Sequence, residues 1–135
     1  MADMRCVLTS PEELLFEGKV RSVVVPAVDG ELGILPRHAP LVGALSFGEL
    51  RLELEDGSRA RYFVHGGGFV EVLNDEVTVL ATNVEDVTDE KLEIAETHLK
   101  DLLGKDIASH NIEELDAHRD SVNVAKRRLQ VVKKR

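Results

Sequence analysis

The chain has 135 residues, a length that favours one domain or one domain with an appendage. Hydrophobic residues make up 43% and charged residues 31%, which indicates a soluble globular protein and speaks against disorder. No apolar run is long enough for a transmembrane helix, and the single cysteine, Cys6, excludes an intrachain disulfide. The first residues lack a basic or amphipathic leader, so we expect a mature protein of a bacterial cytoplasm or an equivalent compartment.

The net charge of −8 is unevenly distributed along the chain. The segment 126–135 carries cations and no acid, so the body of the chain is more acidic than the total suggests. An acidic body speaks against nucleic acid as the main partner. The basic end would be attracted to an acidic surface, although a solvated helix end, whose cations favour the C-terminal dipole, explains it as well.

The first two thirds of the chain read as short strands. Residues 5–9 form a first strand with Cys6 and Leu8 on one face. Residues 20–28 alternate across two faces, with Val20 and Val24 on one and Val23 on the other. A short strand follows at 32–35.

Two hairpins follow from the alternation of apolar residues. Residues 50–54 and 59–64 are joined at Asp56-Gly57-Ser58, and a three-residue loop there sets Leu54 opposite Ala60 and Leu52 opposite Tyr62. A two-residue turn at Asn74-Asp75 sets Val72 opposite Val77 and Val70 opposite Val79. Many short strands with regular turns predict a β-sandwich or a barrel.

The pattern changes to helical spacing near Thr88, which is a good helix N-cap. Apolar residues recur every three or four residues up to Gly104, which ends a first helix. Asn111 and Glu114 resemble a capping box, and a second apolar stripe that includes His118 follows. A short linker between two one-sided helices predicts an antiparallel hairpin, less stable than the β part and able to move.

The inventory of reactive residues supports no autonomous enzyme. The five histidines show no metal-ligand spacing, so we expect no metal site. Cys6 reads as a buried structural cysteine. Gly66-Gly67-Gly68 lacks the phosphate-loop pattern and precedes a strand, so a bend or a close strand approach is its expected role.

Residues 30–41 form the densest run of turn-forming residues, with two glycines and two prolines. Apolar residues can anchor this loop while Glu31, Arg37 and His38 point outward. A shaped loop on a rigid scaffold suits a functional surface, and a tight corner between strands explains it equally well.

The sequence resembles the epsilon subunit of the bacterial and chloroplast-type rotary ATP synthase, the homologue of the mitochondrial delta subunit. The resemblance is carried by Gly-Glu-Leu-Gly-Ile-Leu-Pro at 30–36, His-Ala-Pro-Leu at 38–41, and the segments 67–72 and 77–81. It implies a mainly β, α+β fold: a ten-stranded β-sandwich at 1–86 and an antiparallel two-helix hairpin at 87–135.

The resemblance also implies a function. Such a subunit lies on the central rotor stalk, binds the gamma subunit and the ring of membrane c subunits through its sandwich, and helps to couple proton flow to ATP synthesis. The implied c-ring and gamma contacts are Glu31, Gly33, Arg37 and His38. The hairpin of many members inhibits ATP hydrolysis through basic residues that meet the catalytic beta subunits, and the candidates here are Arg127, Arg128, Lys133 and Lys134.

Some members bind ATP between their helices, but this sequence departs from their motif. Leu92 and Glu93 stand where arginine and alanine are expected, and Val124 replaces an arginine of the second helix. We therefore expect no ATP binding and no cofactor. Two alternatives remain open, a nucleotide-sensing regulator of the same fold and an unrelated β-sandwich adaptor.

Overall fold

A computed structural model describes residues 4–88, 92–103 and 112–133. The chain divides into two compact units, Met1–Thr88 and Asp89–Arg135. We refer to them as the β unit and the helical unit. Neither helix, over its described length, has the span and the hydropathy that crossing a membrane would require.

The described residues contain seven strands. In chain order they are β1 Met4–Thr9, β2 Leu14–Ala27, β3 Gly30–Ile34, β4 Leu41–Ala44, β5 Gly48–Leu54, β6 Arg59–Leu73 and β7 Glu76–Asp86.

The strands form one bent sheet that closes on itself. Their order is β1-β7-β6-β5-β2-β3, and β4 lies beside β6. Strand β1 pairs with β7 in parallel and also with β2 in antiparallel fashion, which joins the two sides of the sheet. The result is a closed, barrel-like sandwich with one inside face and one outside face.

The inside face holds the core of the β unit. Alternate residues of each strand point inward, which matches the two-residue period of a strand. Cys6 and Leu8 are fully buried there, as the first strand predicts, and burial raises the pKa of the Cys6 thiol to about 12. The other fully buried residues include Val23, Val25, Ile34, Leu50, Val70, Val77 and Val79.

The prediction of ten strands is not confirmed, because three strands run on where shorter ones were expected. Strand β6 spans 15 residues, β2 spans 14 and β7 spans 11, against a usual five or six. Pairing is irregular between Val20 and Ser22 in β2, and between His65 and Gly68 in β6 opposite β7.

The irregularity in β2 also corrects the predicted faces of this strand. It adds a residue between Val20 and Ser22 relative to β5. Val20 therefore joins Val23 and Val25 on the core side, while Val24 stays on the opposite face. A simple alternation cannot anticipate such a bulge.

The register predicted for the first hairpin is wrong by two residues, whereas that of the second is confirmed. Leu52 lies opposite Ala60, and the Leu54 N–H donates to the Ser58 carbonyl, so the loop is Glu55-Asp56-Gly57. Gly57 has φ +89° and takes the last loop position, which in a three-residue hairpin loop is the left-handed residue that follows a type I turn. In the second hairpin Val72 faces Val77 and Val70 faces Val79.

The helical unit contains α1 Leu92–Leu103 and α2 Ile112–Lys133, which pack against each other. Val122, Ala125 and Val132 of the predicted stripe are buried. The cap residues Gly104 and Asn111 and the side chain of His118 lie outside the described residues, and the antiparallel order stays a prediction.

The β unit ends two residues later than the boundary expected after residue 86. The Val87 N–H donates to the Arg61 carbonyl at 2.9 Å. The Thr88 hydroxyl accepts the Arg61 N–H at 3.0 Å and donates to the Arg61 carbonyl at 3.2 Å. Thr88, predicted as a helix cap, therefore uses its hydroxyl to fasten the end of the β unit to β6.

The close approach of strands at Gly68 generates a stability prediction. Gly68 has φ +146°, and a Cβ there would lie 2.1 Å from the Leu80 carbonyl oxygen. We expect Gly68→Ala to lower the free energy of unfolding by about 2–4 kcal/mol, because the backbone of β7 must move to make room for the new methyl group. Urea unfolding followed by the fluorescence of Tyr62, the single tyrosine, measures this effect.

Gly33→Ala is the matched control. A Cβ at Gly33 meets nothing within 4 Å. This variant should unfold within about 0.5 kcal/mol of the natural chain, as exposed substitutions usually do. Equal unfolding of the two variants would contradict the assigned role of Gly68.

Candidate functional site

The turn after β3 displays Arg37 and His38. The His38 N–H donates to the Leu35 carbonyl at 3.1 Å, which closes a turn with Pro36 at its second position. Arg37 follows with φ 68°, a left-handed conformation that glycine usually occupies. The Arg37 N–H donates to Oδ1 of Asp75 at 2.6 Å, so the turn is tied to the β6–β7 turn.

Both side chains of this turn are accessible. Arg37 is exposed and His38 is half-buried. Nδ1 of His38 lies 2.7 Å from the Ala39 carbonyl oxygen, an acceptor, so Nδ1 carries the proton in the neutral ring. Nε2 of the neutral ring is then an acceptor for a partner.

Glu31 and Gly33 lie on the outside face of β3 and belong to a different neighbourhood. Gly33 pairs with Val24 of β2, and Val24 pairs with Arg51 of β5. Glu31 reaches the same arginine, whose Nη1 donates to Glu31 Oε2 at 2.9 Å. The Glu31 side chain remains 51% exposed.

A buried carboxylate organises the charges around Arg51. Arg51 and Arg61 lie directly opposite each other on β5 and β6, a position where like charges repel. Glu49, whose side chain is only 3% exposed, accepts from Arg51 Nη1 at 2.9 Å and from Arg61 Nε at 2.9 Å, and its Oε2 also contacts Arg61 Nη2. One carboxylate thereby removes the repulsion between two guanidinium groups.

The surroundings of Glu49 keep it ionised. Burial raises the pKa of its carboxyl, but hydrogen bonds from Arg51 and Arg61 and their positive charges together outweigh burial and hold the pKa below its usual value. The pKa of Arg51 is raised, first by its hydrogen bond to Glu49 and further by Glu31, against the effect of its own burial. The pairing of Glu49 with Arg51 therefore favours the ionised form of both groups.

An apolar row crosses another part of the outside face. Cross-strand pairs join Ala44 to Phe69, Phe69 to Leu80, Leu80 to Thr9 and Thr9 to Leu14. We call these five residues the apolar row. Phe69 is 61% exposed, and Leu14 and Leu80 are also exposed. Four of the five residues are apolar, and Thr9, between Leu80 and Leu14, is half-buried. Adjacent apolar residues of this kind mark an interaction surface more often than scattered ones do.

Val42 and Leu73 extend the row towards the β6–β7 turn. Val42 is 71% exposed and lies two residues before Ala44 on the same side of β4. Leu73 is exposed at the end of β6, next to the turn that holds Arg37 through Asp75. Apolar surface and the polar turn are therefore neighbours along this side of the β unit.

The structure thus separates the four predicted loop residues into two pairs. Glu31 and Gly33 lie beside Arg51, while Arg37 and His38 lie beside the β6–β7 turn. Sequence reasoning missed the apolar row and the Glu49 network. The signal for the row was present, because residues 69–73 carry apolar side chains on both faces, and only one face can fill the core.

The segment 3–87 matches the family model for the β-sandwich domain of the ATP synthase delta/epsilon chain. This segment includes all seven described strands and both groups of loop residues. The chain belongs to the ATP synthase delta/epsilon family.

Curated relatives in this family extend from bacteria to chloroplasts. The chain is 44% identical over 81 residues to the ATP synthase epsilon chain of Desulforamulus reducens, covering 60% of each chain. It is 44% identical over 85 residues to that of Alkalihalophilus pseudofirmus, covering 63% of this chain and 62% of the relative. For both, it therefore spans about three fifths of the relative's length.

The chloroplastic epsilon chain of Lotus japonicus matches over a longer stretch. It is 38% identical over 107 residues, which cover 74% of this chain and 78% of the relative.

Solved structures of ATP synthases share the fold. A chain in the Euglena gracilis mitochondrial ATP synthase structure (OSCP/F1/c-ring) superposes with a TM-score of 0.72 at 23% identity, covering 99% of this chain and 81% of the other. A chain of the Tetrahymena thermophila mitochondrial central stalk and c-ring structure gives 0.53 at 18% identity, covering 97% and 94%. At these identities the likeness concerns the fold alone.

Three of the four basic residues expected from the delta/epsilon family resemblance lie in α2. Arg127 and Lys133 are exposed and Arg128 is half-buried, while Lys134 lies outside the described residues. Within the described residues no three metal-ligating side chains come together in a cluster.

The left-handed Arg37 generates a prediction about the turn. The left-handed conformation destabilises the folded chain by about 1–2 kcal/mol when an L residue adopts it. Replacement by glycine removes this strain, but glycine's greater freedom in the unfolded chain offsets about 0.5–1 kcal/mol of the benefit. We expect Arg37→Gly to raise the free energy of unfolding by about 0.5–1 kcal/mol, measured by urea titration.

Asn74→Gly is the control for this prediction. Asn74 also has a positive φ, of 50°, but asparagine tolerates this region. Replacing Asn74 by glycine should raise the free energy of unfolding by less than Arg37→Gly does, or not at all. If Arg37→Gly destabilises the chain, its side chain makes a stabilising contact that outweighs the strain.

Proposed function

We propose that this chain is the epsilon subunit of a proton-translocating rotary ATP synthase. In this role it is a non-catalytic rotor subunit of the central stalk and couples proton flow through the membrane ring to ATP synthesis. The observation that carries the proposal is the delta/epsilon family match over 3–87, on a β unit that presents an exposed apolar row.

The apolar row is the proposed surface for the gamma subunit. Permanent subunit interfaces are more hydrophobic than the rest of a protein surface, and aromatic residues are enriched in them. Phe69 lies within the row, between Ala44 and Leu80, and is its one aromatic residue. Aromatic residues are enriched among the interface residues that carry most of the binding energy.

The polar residues of the loop are proposed to meet the c ring and the adjoining part of gamma. Glu31, Arg37 and His38 offer an acceptor, a cation and a ring nitrogen at accessible positions. Gly33 has ordinary backbone geometry and open space where a Cβ would lie, so nothing within the β unit requires glycine there. A partner's backbone approaching Gly33 closely would require it.

The proposed location follows from these partners. The subunit would lie on the cytoplasmic face of the bacterial inner membrane as a peripheral component, with membrane contact only through the complex. Nucleic acid is not among the proposed partners.

The first functional prediction concerns the gamma interface. We expect Phe69→Lys and Leu80→Lys each to weaken binding of the purified chain to the gamma subunit by about tenfold or more, because each buries a charge in an apolar contact. Titration calorimetry with the gamma subunit of the same ATP synthase measures the dissociation constants. Both side chains point away from the core, so the fold should persist.

Glu55→Lys is the matched control. Glu55 lies in the exposed β5–β6 loop, away from the apolar row, and its replacement changes the net charge more than the test variants do. Its affinity for gamma should stay near that of the natural chain. Equal affinities of all four proteins would exclude the row as the gamma surface.

The helical unit is proposed to regulate the enzyme. In this proposal Arg127, Arg128, Lys133 and Lys134 meet acidic surface of the catalytic beta subunits of the alpha/beta assembly and inhibit ATP hydrolysis. The support is the charge of segment 126–135, which has no acid, and the exposure of Arg127 and Lys133 in α2.

The second functional prediction tests this regulation. Replacing the four cations by glutamine should raise ATP hydrolysis by the assembled complex, and the difference should shrink as salt increases, since exposed charges are screened over about 8–10 Å. Arg119→Gln, an exposed cation earlier in α2, is the control and should change little. Hydrolysis rates that do not respond to the four replacements would refute the proposal.

The absence of ATP binding stays a prediction. Val124 is half-buried in α2 and offers no donor for a phosphate group. The side chains of Leu92 and Glu93, the two other departures from the nucleotide motif, lie outside the described residues.

A further inference from the structure

Glu49 lies at the centre of a set of ion pairs on the outside face of β3, β5 and β6. Among the residues that the structure describes, Glu49 is the one charged residue that is buried. Its two carboxylate oxygens accept hydrogen bonds from two different arginines. A buried carboxylate that lost these partners would be strongly destabilising. The side chains of Arg51 and Arg61 are therefore held in place by the requirements of the fold.

Arg51 carries this order outward to Glu31. The same Nη1 atom donates to Glu49 Oε1 and to Glu31 Oε2, at 2.9 Å in both cases. Strands β3 and β5 are not neighbours, because β2 lies between them, so this pair spans an intervening strand. A contact across β2 fixes Glu31 more firmly than its position on an exposed strand would.

An ordinary ion pair on the surface contributes little stability, because both side chains lose conformational freedom when they form it. Here Arg51 is already ordered by Glu49, so the contact restricts only the Glu31 side chain. The neighbouring pair of Arg21 with Glu53 is looser: its closest N–O distance is 3.9 Å, against 2.9 Å between Arg51 and Glu31.

We propose that Arg51 is a positioning residue for Glu31, and that Glu49 acts through Arg51 to fix it. Arg51 engages Oε2 of Glu31, and Oε1 is the oxygen that we assign to a partner. The chemistry that fits this oxygen is a cationic or amide donor on the polar surface of the c ring. This inference rests on the proposed function, because it assumes that Glu31 meets a subunit of the ATP synthase.

The test is a double-mutant cycle on binding of the full chain to the assembled complex of gamma and c ring. Glu31→Gln and Arg51→Met should each weaken binding about fivefold, and the double variant should be no weaker than either single one. Arg51→Met keeps the aliphatic stem of the side chain and leaves Glu49 paired with Arg61. The fold should therefore survive, and melting of the free chain verifies it.

Glu49→Gln tests the indirect step. The amide keeps the shape of the side chain but removes the charge that anchors Arg51. We expect it to weaken binding and also to reduce the effect of Glu31→Gln in combination. A purely structural role would lower the melting temperature without changing the size of the Glu31 effect.

Glu53→Gln is the matched control, since Glu53 lies on the same side of β5 and forms the looser pair with Arg21. Its binding should equal that of the natural chain. If the natural chain itself does not bind, the proposed function fails. If the natural chain and Glu53→Gln bind but the effects of Glu31→Gln and Arg51→Met multiply, or are absent, the positioning role is overturned.

Discussion

Strand β6 pairs with β5 along its first part and with β4 along its last part, and it changes partner at three consecutive glycines. Gly66, Gly67 and Gly68 all have positive φ, which L side chains rarely adopt. At Gly68 the backbone of β7 comes so close that no side chain fits. The bend in β6 therefore depends on the absence of a Cβ, and the closure of the sheet depends on the bend.

The bend also decides which residues share an outside surface. Before the glycines, the outward positions of β6 carry Arg59 and Arg61, beside the charged residues of β5. After them, the outward positions carry Phe69, Glu71 and Leu73, beside β4 and β7. One strand thus contributes to a charged surface and to a mainly apolar surface, each suited to a different partner.

The parts of the fold that local chemistry determines were predicted from the sequence. Asn74 and Asp75 both tolerate positive φ, so the second hairpin has a unique register, and the structure confirms it. The register predicted for the first hairpin was wrong because Gly57 was assigned to the middle of the loop, whereas Gly57 takes the last loop position. That displacement of the register concealed the site, since a register with Leu54 opposite Ala60 sets Glu53 opposite Arg61, whereas Arg51 lies there in the structure.

The exposed character of the loop residues was also predictable, but their division into two neighbourhoods was not. It depends on Arg51 reaching across β2, and no local pattern encodes a contact between strands that are not adjacent. The apolar row likewise joins five strands through pairings that are distant in sequence. Alternation within one strand shows that both of its faces are apolar, without showing which residues of other strands continue the surface.

Glu49 connects the stability of the β unit with the geometry of its charged surface. Because its pKa is lowered in the folded chain, its ionised form contributes stability above the ordinary glutamate pKa of 4.5, and this contribution is lost as the pH falls below that value. The same protonation would release Arg51 from its anchor. Glu31 can therefore vary with little cost to folding, whereas a change at Glu49 affects the fold and the surface together.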